Sequence, residues 1–179
     1  MTVDRDENPV MDTVDADYES GATADKPNLR LWLRLLTCAN MIETEIRSRL
    51  RAEYDVTLPR FDLMAQLEKS SDGLTMSELS RRLMVSNGNI TGIVDRLVAE
   101  KLITRTPNPD DRRAQCVRLT PRGHKAFLEM AAVHQRWIDD LFSGLTPDEA
   151  QTLFALLGKA KVSIRTATET ETRDVAQDV

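Results

Sequence analysis

Between residues 27 and 165 apolar residues recur at intervals of three and four, the spacing that puts them on one face of a helix. Leu31, Leu35, Ile42, Ile46 and Leu50 mark one stripe of a long first helix, and Trp32, Leu36 and Ala39 widen it in its first half. An apolar arc that wide on a terminal helix calls for burial against more than one neighbour, and a second copy of the chain is the natural second one. Pro59 fits the N1 position of a short helix carrying Phe61, Leu63, Met64 and Leu67, and Asp72-Gly73 makes a turn after it.

Thr75 and Glu78 have the spacing of a capping box, in which a hydroxyl and a carboxylate satisfy each other's orphan N–H groups, so a helix starts there with Met76, Leu79 and Leu83 inward. After a tight Met84-Val85 connection Ser86 caps the next helix, whose buried stripe is Ile90, Ile93, Val94 and Leu97. Two short helices joined this closely are a helix-turn-helix. The β-prone segments at 102–105 and 116–119, separated by a loop with Pro107 and Pro109, predict a two-stranded hairpin, the wing. Thr120-Pro121 and Thr146-Pro147 each pair an N-cap residue with proline at N1 and open two final helices, the last with a seam of Leu153, Leu156, Leu157 and Ala160. The fold class is therefore mainly α with a two-stranded β wing.

A hydrophobic content of 41% suffices for an ordinary core. No run of eighteen apolar residues occurs and the N-terminus lacks a signal-like pattern, so a soluble cytoplasmic protein without a membrane partner is expected. Cys38 and Cys116 lack metal-ligand spacing and are expected as free thiols; no metal and no cofactor is implied. The formal net charge of −5 changes meaning when split: residues 1–26 carry −6 and residues 166–179 carry −3, which leaves +4 for residues 27–165. The stretch 75–125 alone holds ten Lys/Arg against five Asp/Glu, a balance that suits an anionic partner or simply a solvated face. Residues 1–26 are too polar to offset the entropy of ordering and read as a disordered acidic tail; residues 166–179 read as a flexible tail whose start can extend the last helix.

On the helix from Asn87 to Lys101, placing Ile90 inward puts Gly88, Gly92, Asp95 and Ala99 outward, flanked by Asn89, Thr91 and Arg96. Two glycines in one short helix cost about 1 kcal/mol each relative to alanine. Close approach to a DNA groove accounts for them, with Ser86, Asn87, Asn89 and Thr91 hydrogen-bonding bases and phosphates; tight packing against another helix is the alternative. The Asp111-Arg112-Arg113 tip of the wing loop suits a narrow minor groove, with a solvated loop as its alternative.

The run from Thr75 through Phe127 resembles the winged helix-turn-helix of the MarR (multiple antibiotic resistance regulator) family. The resemblance lies in the helix-turn-helix, Val-Asp-Arg-Leu at 94–97, Asp-Arg-Arg at 111–113 and Leu-Thr-Pro-x-Gly at 119–123, and Lys101 stands where the family has a glycine entering the wing. It extends over roughly residues 28–165. It implies a triangular homodimer, with residues 27–56 and 121–165 forming a helical dimerisation region and 57–120 the DNA-binding domain. It further implies a repressor of transcription on a pseudo-palindromic double-stranded operator, released by a small effector, often an aromatic acid. Position by position, Ser86, Asn87, Asn89, Thr91 and Arg96 would belong to the recognition helix and Arg112 and Arg113 to the wing.

Trp32, Leu36, Met41, Phe61, Met64 and Leu67 could border the effector pocket, although apolar stripes are core by default. Arg30 and Arg34, one turn apart, could pair with a carboxylate or with phosphates. The segments at 29–34 and 58–63 are similar to those of regulators responding to hydroxycinnamoyl-type acyl-CoA thioesters. The effector-binding set is then Arg30, Trp32, Arg34, Phe61 and Met64. Cys38 stands about a turn from the family's peroxide-sensing position and is expected to be buried and inert, with a redox regulator as the alternative. His124 and His134 have no metal-ligand partners and read as surface or packing residues. A winged helix serving only as a protein-interaction module would expose apolar groups at Gly88, Thr91 and Gly92, and no nucleophile or acid-base pair marks an enzyme.

Overall fold

The computed structural model describes residues 25–107 and 115–175, excepting the side chains of Asn87 and of residues 170–175. The expected acidic tail before residue 25 and the wing-tip residues Asp111, Arg112 and Arg113 lie outside the described residues.

In chain order the elements are α1 (Pro27–Tyr54), α2 (Leu58–Glu68), β1 (Leu74–Thr75), α3 (Met76–Leu83), α4 (Asn87–Ala99), β2 (Ile103–Pro107), β3 (Gln115–Leu119), α5 (Pro121–Leu141) and α6 (Pro147–Val175). Their starts follow the capping rules. Thr75, Ser86 and Thr120 accept from the backbone N–H of Glu78, Asn89 and Gly123, and Thr146 forms a full capping box with Glu149. One hydrophobic core gathers Ile46 and Leu50 of α1, Leu63 and Met64 of α2, Leu79 of α3, Ile90, Val94 and Leu97 of α4, Val117 of β3 and Phe127 of α5.

The sheet has three strands in the order β1-β3-β2, not two: Leu74 pairs with Val117 and Thr75 with Cys116, while Ile103 pairs with Leu119 and Arg105 with Val117. β1 is two residues long, too short to show alternation, and its Thr75 is also the cap of α3. Gly73 (φ +80°) turns the chain into β1 so close to β3 that a Cβ there would lie 2.5 Å from Arg118 Cγ and 2.6 Å from the Val117 carbonyl oxygen. The Asp72 carbonyl accepts from Arg118 Nε at 2.7 Å. The start of α5 sits equally close to the turn between α4 and β2. A Cβ on Gly123 would lie 1.8 Å from the Leu102 carbonyl oxygen, and the Thr120 hydroxyl lies 2.8 Å from the Lys101 carbonyl oxygen.

Two expectations need correction. The segment from 166, read as a flexible tail whose start can extend the last helix, continues α6 further than that, to Val175: no glycine or proline follows Gly158 to break the helix, and the Thr166 and Thr168 hydroxyls bond carbonyls one turn back. Cys38, expected to be buried, is exposed, because none of the elements packed into the core covers that side of the first half of α1 among the described residues. Cys116 is buried in β3. The apolar arc of α1 is real, yet only Ile46 and Leu50 are buried, and Leu31, Trp32, Leu36 and Met41 face out. Among the described residues no helix is long and apolar enough to cross a membrane.

Candidate nucleic-acid interface

The α3–α4 unit is held by polar bonds at each joint. At the start of α3 the Thr75 N–H donates to Glu78 Oε2 at 2.8 Å and the Glu78 N–H to Thr75 Oγ1 at 3.3 Å. The bonds from the Thr75 backbone and hydroxyl hold the Glu78 carboxyl below the usual carboxylate range. Met84, left-handed at φ 53°, ends α3, and Ser80 Oγ donates to the Val85 carbonyl at 2.6 Å, closing the turn. Ser86 Oγ accepts from Asn89 N–H at 3.4 Å, so this hydroxyl caps α4 and keeps its own hydrogen to donate outward.

α4 carries Ile90, Val94 and Leu97 inward and leaves Gly88, Asn89, Thr91, Gly92, Asp95 and Arg96 exposed. A Cβ at Gly88 or Gly92 would meet nothing within 4 Å. Among the described residues, packing against another helix therefore does not account for these glycines; the face is low, open and polar. Ser86, Asn89, Thr91 and Arg96 share the exposed side of α4 and its N-terminus, where orphan N–H groups and the helix dipole favour phosphate. Asn87 opens the same turn, and its side chain lies outside the described residues.

The sequence reading missed two joints that set the aim of α4. Asp95, on the outer face, pairs with Arg105 of β2 at 3.3 Å and ties α4 to the wing. At the other end Arg60 of α2 pairs with Glu100, and its buried Nε has no hydrogen-bond partner among the described residues. Long-range pairs between α2, α4 and β2 leave no local spacing signal. The C-terminus of α4 closes as a Schellman motif: Leu102 N–H bonds the Leu97 carbonyl, Lys101 N–H bonds that of Val98, and Lys101 takes the left-handed position at φ 61°.

The candidate effector residues are not brought together within one chain. Arg30 and Trp32 are exposed on α1, as is Arg34, which engages another group. Phe61 and Met64 are buried: Met64 is wholly enclosed and Phe61 stacks on Phe127 and His134 at 5.5 and 4.8 Å. Burial holds the His134 imidazole below its usual pKa. His124 Nε2 lies 3.1 Å from Glu68. A cleft of about 580 Å³ between α1 and α5 is lined by Arg49, Glu53, Arg136, Trp137, Asp139 and Asp140, a mixture of charges with no convergent donor set.

A model of the MarR family matches residues 54–114. The multiple antibiotic resistance protein MarR of Salmonella typhimurium is 34% identical over 130 residues, covering 70% of this chain and 88% of its own length. The transcriptional activatory protein BadR of Rhodopseudomonas palustris is 30% identical over 104 residues, covering 57% of this chain and 59% of its own. Among solved structures, a mutant MarR from E. coli complexed with operator DNA superposes with a TM-score of 0.66 at 27% identity, covering 78% of this chain and 99% of that one.

Proposed function

The chain belongs to the MarR family of DNA-binding transcriptional regulators, which are not enzymes, and from that premise we propose that it is a homodimeric repressor released from a pseudo-palindromic operator by a small effector. The observation that carries the reading is the outer face of α4, kept open by Gly88 and Gly92 and tied to the wing by Asp95 and Arg105. Ser86, Asn87, Asn89 and Thr91 approach base edges and phosphates in the major groove; Arg96, Arg112 and Arg113 add phosphate and minor-groove contacts.

The test uses a duplex selected from a random pool by its affinity for the full chain. Replacing Arg113 with alanine weakens binding by about tenfold or more with little change in melting temperature. Affinity falls steeply as salt rises, because each phosphate contact releases counterions. A flat salt response would sink the reading. Transcription in vitro from a promoter bearing that duplex decides the sign, a real question given that one relative is named an activatory protein.

The effector is an aromatic acid or its acyl-CoA thioester, a reading supported by Arg30 and Trp32, both exposed in the first half of α1 one turn or less from Arg34. Guanidinium groups suit carboxylate or phosphate, and the indole offers an aromatic face. A thermal-shift screen of hydroxycinnamic acids and their CoA thioesters tests it, since a ligand of the native state raises Tm by mass action. Exposure of Cys38 favours a second reading, redox control of DNA binding. Under that reading peroxide releases the DNA from the wild-type chain and not from Cys38→Ser.

A further inference from the structure

Among the described residues Asp55, Met84 and Lys101 hold a left-handed backbone without being glycine. That conformation strains every L side chain, aspartate and asparagine least. Asp55 pairs with Arg51, and Lys101 carries an exposed charge. Met84 is apolar and 94% exposed, more than any other large apolar residue described. The turn between α3 and α4 is closed without its side chain: the Ser80 carbonyl accepts from the Val85 N–H at 3.2 Å, and the Ser80 hydroxyl donates to the Val85 carbonyl at 2.6 Å. A glycine would take the same backbone unstrained and leave no apolar surface in water. Nothing among the described residues offsets what methionine costs there.

The connection alternates inward and outward. Leu83 and Val85 pack against the core, while Met84 and Ser86 are exposed. Consecutive Cα atoms lie about 3.8 Å apart, so the Met84 Cα stands no more than about 7.6 Å from that of Ser86, a gap that a long unbranched side chain largely spans. Ser86 caps α4 at the end where free N–H groups and the helix dipole favour phosphate. A duplex seated on that end therefore brings its apolar atoms, thymine methyls and deoxyribose carbons, within reach of the thioether. A protein partner would need apolar neighbours around Met84, whereas the exposed residues nearest to it in sequence are Arg81, Arg82, Ser86, Gly88 and Asn89.

We propose that Met84 is a further DNA-contacting residue, whose thioether lies against apolar atoms of the duplex at the edge of the groove that α4 enters. The proposal rests on the placement of α4 against DNA, and it adds an apolar contact to a face otherwise built of polar groups. Apolar contact is the means by which a thymine methyl is told from the other bases. It also gives the strained turn a use: the left-handed backbone fixes the direction in which the side chain leaves the chain.

Binding of the full chain to the selected duplex, measured beside thermal unfolding, decides it. Met84→Gly melts at or above the wild-type temperature, since the turn is relieved of strain, and binds about tenfold more weakly. Met84→Leu keeps the apolar bulk and binds within about threefold of wild type. A duplex with uracil in place of thymine separates the two sources of apolar atoms: closure of the tenfold gap assigns the contact to a methyl, and its persistence assigns it to deoxyribose. Met84→Gly binding as tightly as wild type, where Asn89→Ala binds more weakly, overturns the contact and leaves α4 in the groove. No loss in either variant removes the placement of α4 and the contact together.

Discussion

Gly123 and Gly92 are both helical glycines, and their surroundings give opposite expectations for the same substitution. Gly123→Ala drives a methyl into the Leu102 carbonyl at a backbone joint that cannot yield, so the fold loses about 3 kcal/mol or more, read by urea denaturation. Gly92→Ala fills open space, gains up to about 1 kcal/mol of stability and still weakens DNA binding, because the face that must approach the groove is raised. Stability and affinity rising together at Gly92 would contradict the groove assignment. Lys101 holds a left-handed conformation that glycine adopts without strain, so Lys101→Gly stabilises the chain by about 0.5–1 kcal/mol. His134 adds a pH dependence of definite sign. Burial lowers its folded pKa below 6.5, so the fold is favoured while the imidazole is neutral and loses stability as pH falls from about 6.5 through the lower folded value. In His134→Gln the stability measured between pH 7.5 and 5 varies less than in wild type.

Most elements were legible because their signals are local. The Thr75–Glu78 box, the Ser86 cap and the two Thr-Pro starts each lie within four residues, and all four appear in the structure where the spacing put them. What escaped is non-local or too short. β1 exists only because β3 passes beside it, and the Asp95–Arg105 and Arg60–Glu100 pairs join elements that no periodicity connects. The exposure of Cys38 and the enclosure of Met64 have the same cause: a stripe says which face is apolar, not what covers it. At this scale Thr120 can be tested. Its hydroxyl caps α5 through the Gly123 N–H and also bonds back to the Lys101 carbonyl, so Thr120→Ala costs about 1–2 kcal/mol, measurable by thermal or chemical denaturation.

Across the described residues the apolar surface is divided: the winged helix, the second half of α1 and part of α5 share one closed core, while the apolar residues of the first half of α1 and of α6 are largely exposed. Stability should therefore depend on concentration. A tenfold dilution lowers Tm if two copies cover those helices, and leaves it unchanged if one copy folds alone. The excess of acidic residues falls in residues 1–26 and 166–179, and the +4 of residues 27–165 leaves the candidate interface in the positive part of the chain. The Asp95–Arg105 joint and the open face of α4 stand apart from the bare helices, and this separation has a genetic consequence. If the two copies of the proposed homodimer pair through the bare helices, a chain crippled in α4 retains the surfaces needed to pair with a normal one. Expressed alongside the wild type, it would draw intact copies into half-functional pairs, so lesions of the recognition helix should be dominant and lesions of α6 recessive.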